Sequence, residues 1–165
     1  MITDRHNYDD GYIALINISL ENLPETIEIG EFKLLRKSEF HISLVCVKQL
    51  DEIFDADIIA SRKNKLIQVF LNYEKSHGLT EFVRTGRLRL VKREKKVTVV
   101  EMVEMPKIED LFNEIRNNGI NIPTQPTHIT LYTLQPEAGI GLTSQNQIEN
   151  ESKVVEIASL SVDRV

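Results

Sequence analysis

One short pattern occurs twice, and it constrains the fold more than any other feature of the sequence. The tetrapeptide HISL at positions 41–44 recurs as HITL at positions 128–131, 87 residues later. Each copy lies within a β-rich apolar segment, residues 40–47 and 127–134, so both are predicted to be strands. The repetition predicts two related halves within 165 residues, a length typical of one domain. We therefore expect a single domain, residues 1–165, built from two lobes.

The rest of the chain mixes strand and helix patterns, which predicts an α+β fold. Residues 87–93 and 97–103 are expected to pair as antiparallel strands around a charged turn. A helix is predicted between Pro106 and Gly119, because apolar residues recur there at helical spacing. Further strands are predicted at 12–18 and 154–162, a short extended piece at 27–29, and one or two helices at 50–73, ending near Gly78.

Charge and cysteine content exclude several classes of protein. The 20 Lys and Arg against 25 Asp and Glu give a net charge of -5, so general attraction to nucleic acid or an anionic membrane is not expected. No apolar run approaches the roughly 20 residues that span a bilayer, and the N-terminus does not resemble a signal peptide. The only cysteine, Cys46, is predicted to be a buried thiol facing away from His41. We expect a cytoplasmic protein without a membrane association.

Strand alternation places polar side chains of both repeats on defined faces. His41 and Ser43 share one face of the first strand, and His128, Thr130 and Tyr132 share one face of the second. Two imidazoles facing one groove suit phosphodiester chemistry, since one can accept a proton while the other donates one. The hydroxyls of Ser43 and Thr130 are candidates for contacts with non-bridging phosphate oxygens, and Tyr132 for a contact with a base or phosphate. Such a scheme uses no metal.

Structural explanations exist for each of these residues. A histidine in a strand is often a hydrogen-bonded structural residue, and His6, in a polar terminus, is expected to have no role. A concentration of basic residues in 13 positions is either a guide for a polyanion or the solubilising surface of an edge hairpin. The glycine pair at 139 and 141 is either a plain turn or a loop over the site. The basic residues are Arg84, Arg87, Arg89, Lys92, Arg93, Lys95 and Lys96.

The paired H-x-[ST]-aliphatic motifs make the chain resemble the two-histidine (2H) phosphoesterases, which include bacterial 2',5'-RNA ligase-like proteins and cyclic phosphodiesterases. Both copies match, with Ser43 retaining the hydroxyl where the family often has threonine. The resemblance implies a bilobal fold in which two antiparallel sheets form a central groove, with helices on the outside. It also implies catalysis by His41 and His128, with Ser43, Thr130 and Tyr132 binding substrate.

The function that this resemblance implies is metal-independent hydrolysis or transfer at nucleotide or RNA phosphodiesters, 2',3'-cyclic, 2',5'-linked or otherwise cyclic. The expected substrates are RNA ends, oligonucleotides or cyclic nucleotides, with no cofactor and a monomeric state. One alternative is a non-catalytic module that binds an RNA end or nucleotide in the same groove. A metallohydrolase is disfavoured because the sequence lacks an H-E-x-x-H motif, clustered carboxylates and cysteine ligands. Which histidine is acid and which is base stays open.

Overall fold

The computed structural model describes residues 1–9, 11–136 and 138–160, which form nine strands and three α-helices. The fold is mixed α+β, as predicted, and every strand pairing described is antiparallel. Short 3₁₀ helices cover Val47–Glu52 and Ala158–Leu160. The strands are β1 His6–Asp9, β2 Tyr12–Ile18, β3 Thr26–Ile29, β4 Phe32–Arg36, β5 Phe40–Cys46, β6 Val83–Arg93, β7 Lys96–Glu104, β8 His128–Thr133 and β9 Ser152–Val155, and the helices are α1 Ile59–His77, α2 Ile108–Asn117 and α3 Gln145–Glu151.

Hydrogen bonds connect all nine described strands in one network, with the order β1-β2-β5-β8-β7-β6-β9. Strand β8 joins the two parts of this network, because it pairs with β7 and also with β5 and β4. The hairpin of β3 and β4 is attached through β4 alone. Where two sheets were expected, the structure thus shows strands that meet at β8 in a continuous antiparallel array.

Helices α1 and α2 cover one face of the sheet and form the main core with it. Apolar spacing gives each helix a buried stripe, which packs on the aliphatic side chains of the central strands. The opposite face is covered only in part, by α3 and the chain around residues 140–142. The buried stripes are Leu66, Val69, Phe70 and Tyr73 of α1, and Leu111, Phe112 and Ile115 of α2.

Most predicted elements lie where periodicity placed them. The strand predicted at 12–18 has those bounds, and the helix predicted after Pro106 spans Ile108–Asn117. Three elements were not predicted: β1, β4 and α3. The strand expected over 154–162 is shorter and earlier, at Ser152–Val155, and its last two residues lie outside the described part of the chain.

No helix in the described part of the chain has the length and apolar character needed to cross a bilayer.

Candidate active site

The two copies of the repeated motif lie side by side at the junction of β5 and β8. Ile42 pairs with Ile129 in an antiparallel register. Because antiparallel strands run past each other in opposite directions, this register sets His41 opposite Thr130 and Ser43 opposite His128. The similarity of the two motifs in the sequence thus becomes an approximate two-fold arrangement in space.

A cavity of about 650 Å³ lies over this junction, on the face of the sheet opposite α1 and α2. The alternating aliphatic residues Ile42 and Ile129 point the other way and are fully buried in the main core. The structure therefore brings together four of the five predicted site residues. The cavity-lining residues include His41, Ser43, His128 and Thr130.

The fifth predicted residue, Tyr132, does not line the cavity. Its side chain is fully buried in the main core, and its hydroxyl donates a hydrogen bond to the Pro24 carbonyl oxygen at 2.8 Å. The cause is a register shift: Thr130 pairs with Val100 but Tyr132 pairs with the adjacent Val99, so β8 has an extra residue at Leu131. Such a bulge reverses the alternation of faces, which corrects the expectation that Tyr132 contacts substrate.

Strand β5 has a matching irregularity at the equivalent leucine. Ser43 pairs with Ala14 while Val45 pairs with Ile13, so Leu44 is the extra residue. Beyond this bulge Val45 enters the main core and Cys46 pairs with Tyr12, which lines the cavity. The prediction of a buried thiol at Cys46 is confirmed, but its predicted direction, away from the His41 face, is wrong.

The two histidines differ in their exposure to solvent. His41 is exposed, whereas His128 is only 6% exposed and its Nδ1 has no hydrogen-bond partner among the described residues. Burial, with a smaller contribution from the nearby charge of His41, lowers the pKa of His128 from its ordinary value of 6.5 to about 4. His128 is therefore neutral at physiological pH and able to accept a proton.

Positive charge predominates among the described side chains around the cavity. Four cationic residues, one of them Arg93 in an ion pair with Glu151, line it against two carboxylates, Asp9 and Glu39, although the whole chain carries a net charge of -5. Nearby cations of this kind favour an anionic ligand more strongly inside a cavity than in bulk water. The cations are Lys37, Lys48, Arg93 and Lys96.

The basic run predicted from the sequence is divided between two uses. Arg93 and Lys96, on either side of the β6–β7 turn, line the cavity, and Arg93 also forms an ion pair with Glu151. Arg84 is instead paired with Glu101, and Arg87 with Glu104. Arg89 donates a hydrogen bond to the Ser152 hydroxyl on the neighbouring strand β9, and the Lys92 ammonium lies over the ring of Phe32. The structural explanation therefore applies to most members of the run, whereas a role in guiding a polyanion stays a prediction for the two that line the cavity.

The segment containing the two glycines forms one wall of the cavity. Ile140 and Leu142 are buried in a small second core, and the Gly141 carbonyl oxygen accepts a hydrogen bond from Arg93 at 3.0 Å. A Cβ atom at Gly141 would lie 3.1 Å from the Tyr12 hydroxyl, so glycine permits this close approach. The wall is thus anchored on both sides of Gly141.

Several lining residues were not identified from the sequence. Asn7, Asp9 and Tyr12 come from β1 and β2, and Lys37 and Lys48 flank β5. No local pattern marks them, because they reach the cavity through the pairing of strands distant in sequence. Among the described residues, no group of three or more His, Cys, Asp or Glu side chains is arranged to hold a metal ion.

No protein-family model matches the chain, and no curated protein or solved structure is significantly similar to it. The resemblance to two-histidine phosphoesterases therefore depends on the paired sequence motifs.

Proposed function

We propose that this chain is a metal-independent phosphodiesterase acting on 2',3'-cyclic or 2',5'-linked nucleotide or RNA phosphodiesters. The observation that carries the proposal is the convergence of both motif histidines and both motif hydroxyls on one cavity. We further infer that the two halves meeting at β5 and β8 are the lobes expected of a two-histidine phosphoesterase.

In this proposal His128 is the general base and His41 the general acid. Neutral His128 accepts a proton from the attacking water, the water oxygen bonds to phosphorus, and the bond from phosphorus to the leaving ribose oxygen breaks. His41 donates its proton to that oxygen. A base with a pKa of about 4 is weak, but the negative charge of a bound phosphodiester raises the proton affinity of the neighbouring imidazole. Solvent then restores both protonation states.

The remaining lining residues match the charge that develops during such a reaction. The hydroxyls of Ser43 and Thr130 lie on the same face as the histidines and are able to donate hydrogen bonds to non-bridging oxygens. Lys48 and Lys96 add positive charge that attracts the phosphate in bound substrate and transition state alike. Electrostatic stabilisation and positioning are the main requirements of phosphoryl transfer, so these groups fit the reaction.

One observation favours the alternative of a non-catalytic nucleotide-binding module. Catalytic imidazoles are commonly oriented by a hydrogen bond to the second ring nitrogen, and Nδ1 of His128 has no such partner in the described part of the chain. In that case the same cavity would hold an RNA end or nucleotide without converting it.

Product analysis distinguishes the two functions. The purified protein is incubated with EDTA and either 2',3'-cyclic nucleotides, 2',5'-linked and 3',5'-linked oligonucleotides, or cyclic dinucleotides, and the products are separated by chromatography. The enzyme proposal predicts turnover that falls at least about 100-fold in His41→Ala and in His128→Ala. His77→Ala, which changes an exposed histidine outside the cavity, is the matched control. Nucleotide binding without product supports the binding module.

A further inference from the structure

The cavity extends beyond the two histidines to the edge strand β1. On its floor, Asn7 pairs with Ala14 and Ala14 with Ser43, and the β5–β8 register sets Ser43 opposite His128. Three steps between strands separate β8 from β1, a distance of about 14 Å. The small side chain of Ala14 leaves the middle of this row open. A ligand whose phosphate lies at the histidines therefore has room to extend toward β1.

The β1 end of the cavity presents chemistry unlike that of the histidine end. Asn7 and Asp9 both face the cavity, since they pair with the lining residues Ala14 and Tyr12. Neither side chain makes a hydrogen bond or ion pair within the described residues. A carboxylate repels phosphate and accepts hydrogen bonds only, whereas an amide both donates and accepts. The Lys48 ammonium lies nearby, 4.6 Å from the centre of the Tyr12 ring. The Asn7 and Asp9 side chains themselves fit a neutral group that offers N–H donors.

Strand β1 is held firmly enough to position these two side chains. His6, directly before Asn7, is fully buried and bonded at both ring nitrogens. Its Nε2 donates to the Leu79 carbonyl oxygen at 3.0 Å, which leaves Nδ1 to accept from the Thr3 hydroxyl at 2.8 Å. The expectation that His6 has no role is thus wrong, because it anchors the strand that forms this end of the cavity.

We propose, on the basis of the phosphodiesterase function above, that Asn7 and Asp9 form a base-recognition subsite selecting nucleobases with an exocyclic amino group. Adenine, cytosine and guanine each carry such a group, which donates to a carboxylate. Uracil instead flanks its single N–H donor with two carbonyl oxygens, and these oxygens repel Asp9. Asn7 then complements the ring nitrogen next to the amino group, because its amide donates to N1 of adenine or N3 of cytosine and accepts from N1–H of guanine. Among the nucleotides of the four bases, those of uridine are consequently expected to bind with the lowest affinity.

Binding of the four nucleoside 2',3'-cyclic monophosphates tests this subsite. The His41→Ala variant is used as the background, because His41 is exposed and its removal prevents turnover during calorimetry. We expect the adenosine, cytidine and guanosine forms to bind about tenfold more tightly than the uridine form. Adding Asp9→Asn should reduce this difference to about twofold, since an amide also donates to a carbonyl oxygen. Asp4→Asn, an exposed aspartate of the same terminus outside the cavity, should leave it unchanged.

Equal affinity for all four nucleotides overturns the subsite, as does a preference that Asp9→Asn leaves intact or binding of none of them. The proposed function is judged separately, by turnover with the wild-type protein. A wild-type protein that cleaves phosphodiesters without base preference would keep the function and refute the subsite. Asn7→Ala in the same background provides a second measurement, with an expected loss of affinity for the amino-bearing bases only.

Discussion

His128 is buried at the floor of the cavity, whereas His41 lines the same cavity with an exposed side chain. The two imidazoles of one site therefore differ in solvation. The buried member resists protonation, because a charged imidazole there loses its hydration and also faces the charge of His41. A pair with unlike environments is suited to hold one proton between its two members, which is the state that acid and base catalysis requires.

The first prediction concerns stability against pH. The folded-state pKa of His128, about 4, lies below its ordinary value of 6.5, so the unfolded chain binds a proton first as pH falls. Stability from neutral His128 is complete above about pH 6.5 and is lost toward about pH 4. The free energy of unfolding in urea should fall by about 2 kcal/mol more in wild type than in His128→Asn between about pH 7.5 and pH 5.

His77→Asn, which replaces an exposed histidine outside the cavity, is the control for the loss of a histidine side chain as such. His6 also has a pKa lowered by burial, but it is present in all three proteins and cancels in the comparison. Parallel curves for wild type and His128→Asn would contradict the burial of His128.

The second prediction separates two neighbouring lysines. Lys96 lines the cavity and Lys95, at the turn, does not. Lys96→Ala should raise KM about fivefold at low salt with kcat nearly unchanged, because the lost attraction acts on bound substrate and transition state alike. Lys95→Ala should change KM less than twofold, by roughly the scatter of surface substitutions. The difference should shrink as salt is added, and equal effects of the two substitutions would refute a role for Lys96 in the cavity.

The third prediction concerns the wall formed by Gly141. Its added Cβ would crowd the Tyr12 hydroxyl, so Gly141→Ala should destabilise the fold by about 1 kcal/mol and raise KM. Gly139→Ala places its Cβ in ordinary contact with Thr130 and should be nearly neutral. Tyr12→Phe removes the crowded oxygen, so the double variant should recover stability relative to the sum of the single changes. Additive losses in thermal melting would contradict this contact.

The fourth prediction tests the structural members of the basic run. Glu101 is 1% exposed and pairs with Arg84 at 2.6 Å, whereas Arg87 and Glu104 are both largely exposed. Arg84→Ala leaves the buried Glu101 carboxylate without its cation and should lower the free energy of unfolding by about 2 kcal/mol. This loss is smaller than for a fully buried ion pair, because Arg84 is partly exposed. Arg87→Ala should cost less than about 0.5 kcal/mol. Similar losses of unfolding free energy would show that burial of Glu101 is not what matters.

Local periodicity was enough to predict α2, β7 and the motif strands, because side-chain spacing alone distinguishes helix from strand. A cavity shared by His41 and His128 was implied by the resemblance of the paired motifs to two-histidine phosphoesterases, because periodicity assigns each histidine to a strand face without bringing the two strands together. Tyr132 and Cys46 were assigned to the wrong faces, because bulges at Leu44 and Leu131 reverse the alternation and depend on hydrogen bonds with other strands. Strand β1 was missed for a similar reason: its polar sequence becomes a strand only by pairing with β2 and burying His6.

The central position of β8 affects how the protein is made. Strands β1 to β5 end at least 80 residues before β8 begins, yet they are connected to β6, β7 and β9 only through β8. During synthesis strands β1 to β5 leave the ribosome first. The edges of β4 and β5 that pair with β8 stay uncovered until residue 133 has been made. Loop closure over so long a separation is slow. The pairing of β5 with β8, which brings His41 and His128 together, should therefore form late in folding. Until then the chain has an open sheet edge, and it is most prone to aggregate at that stage.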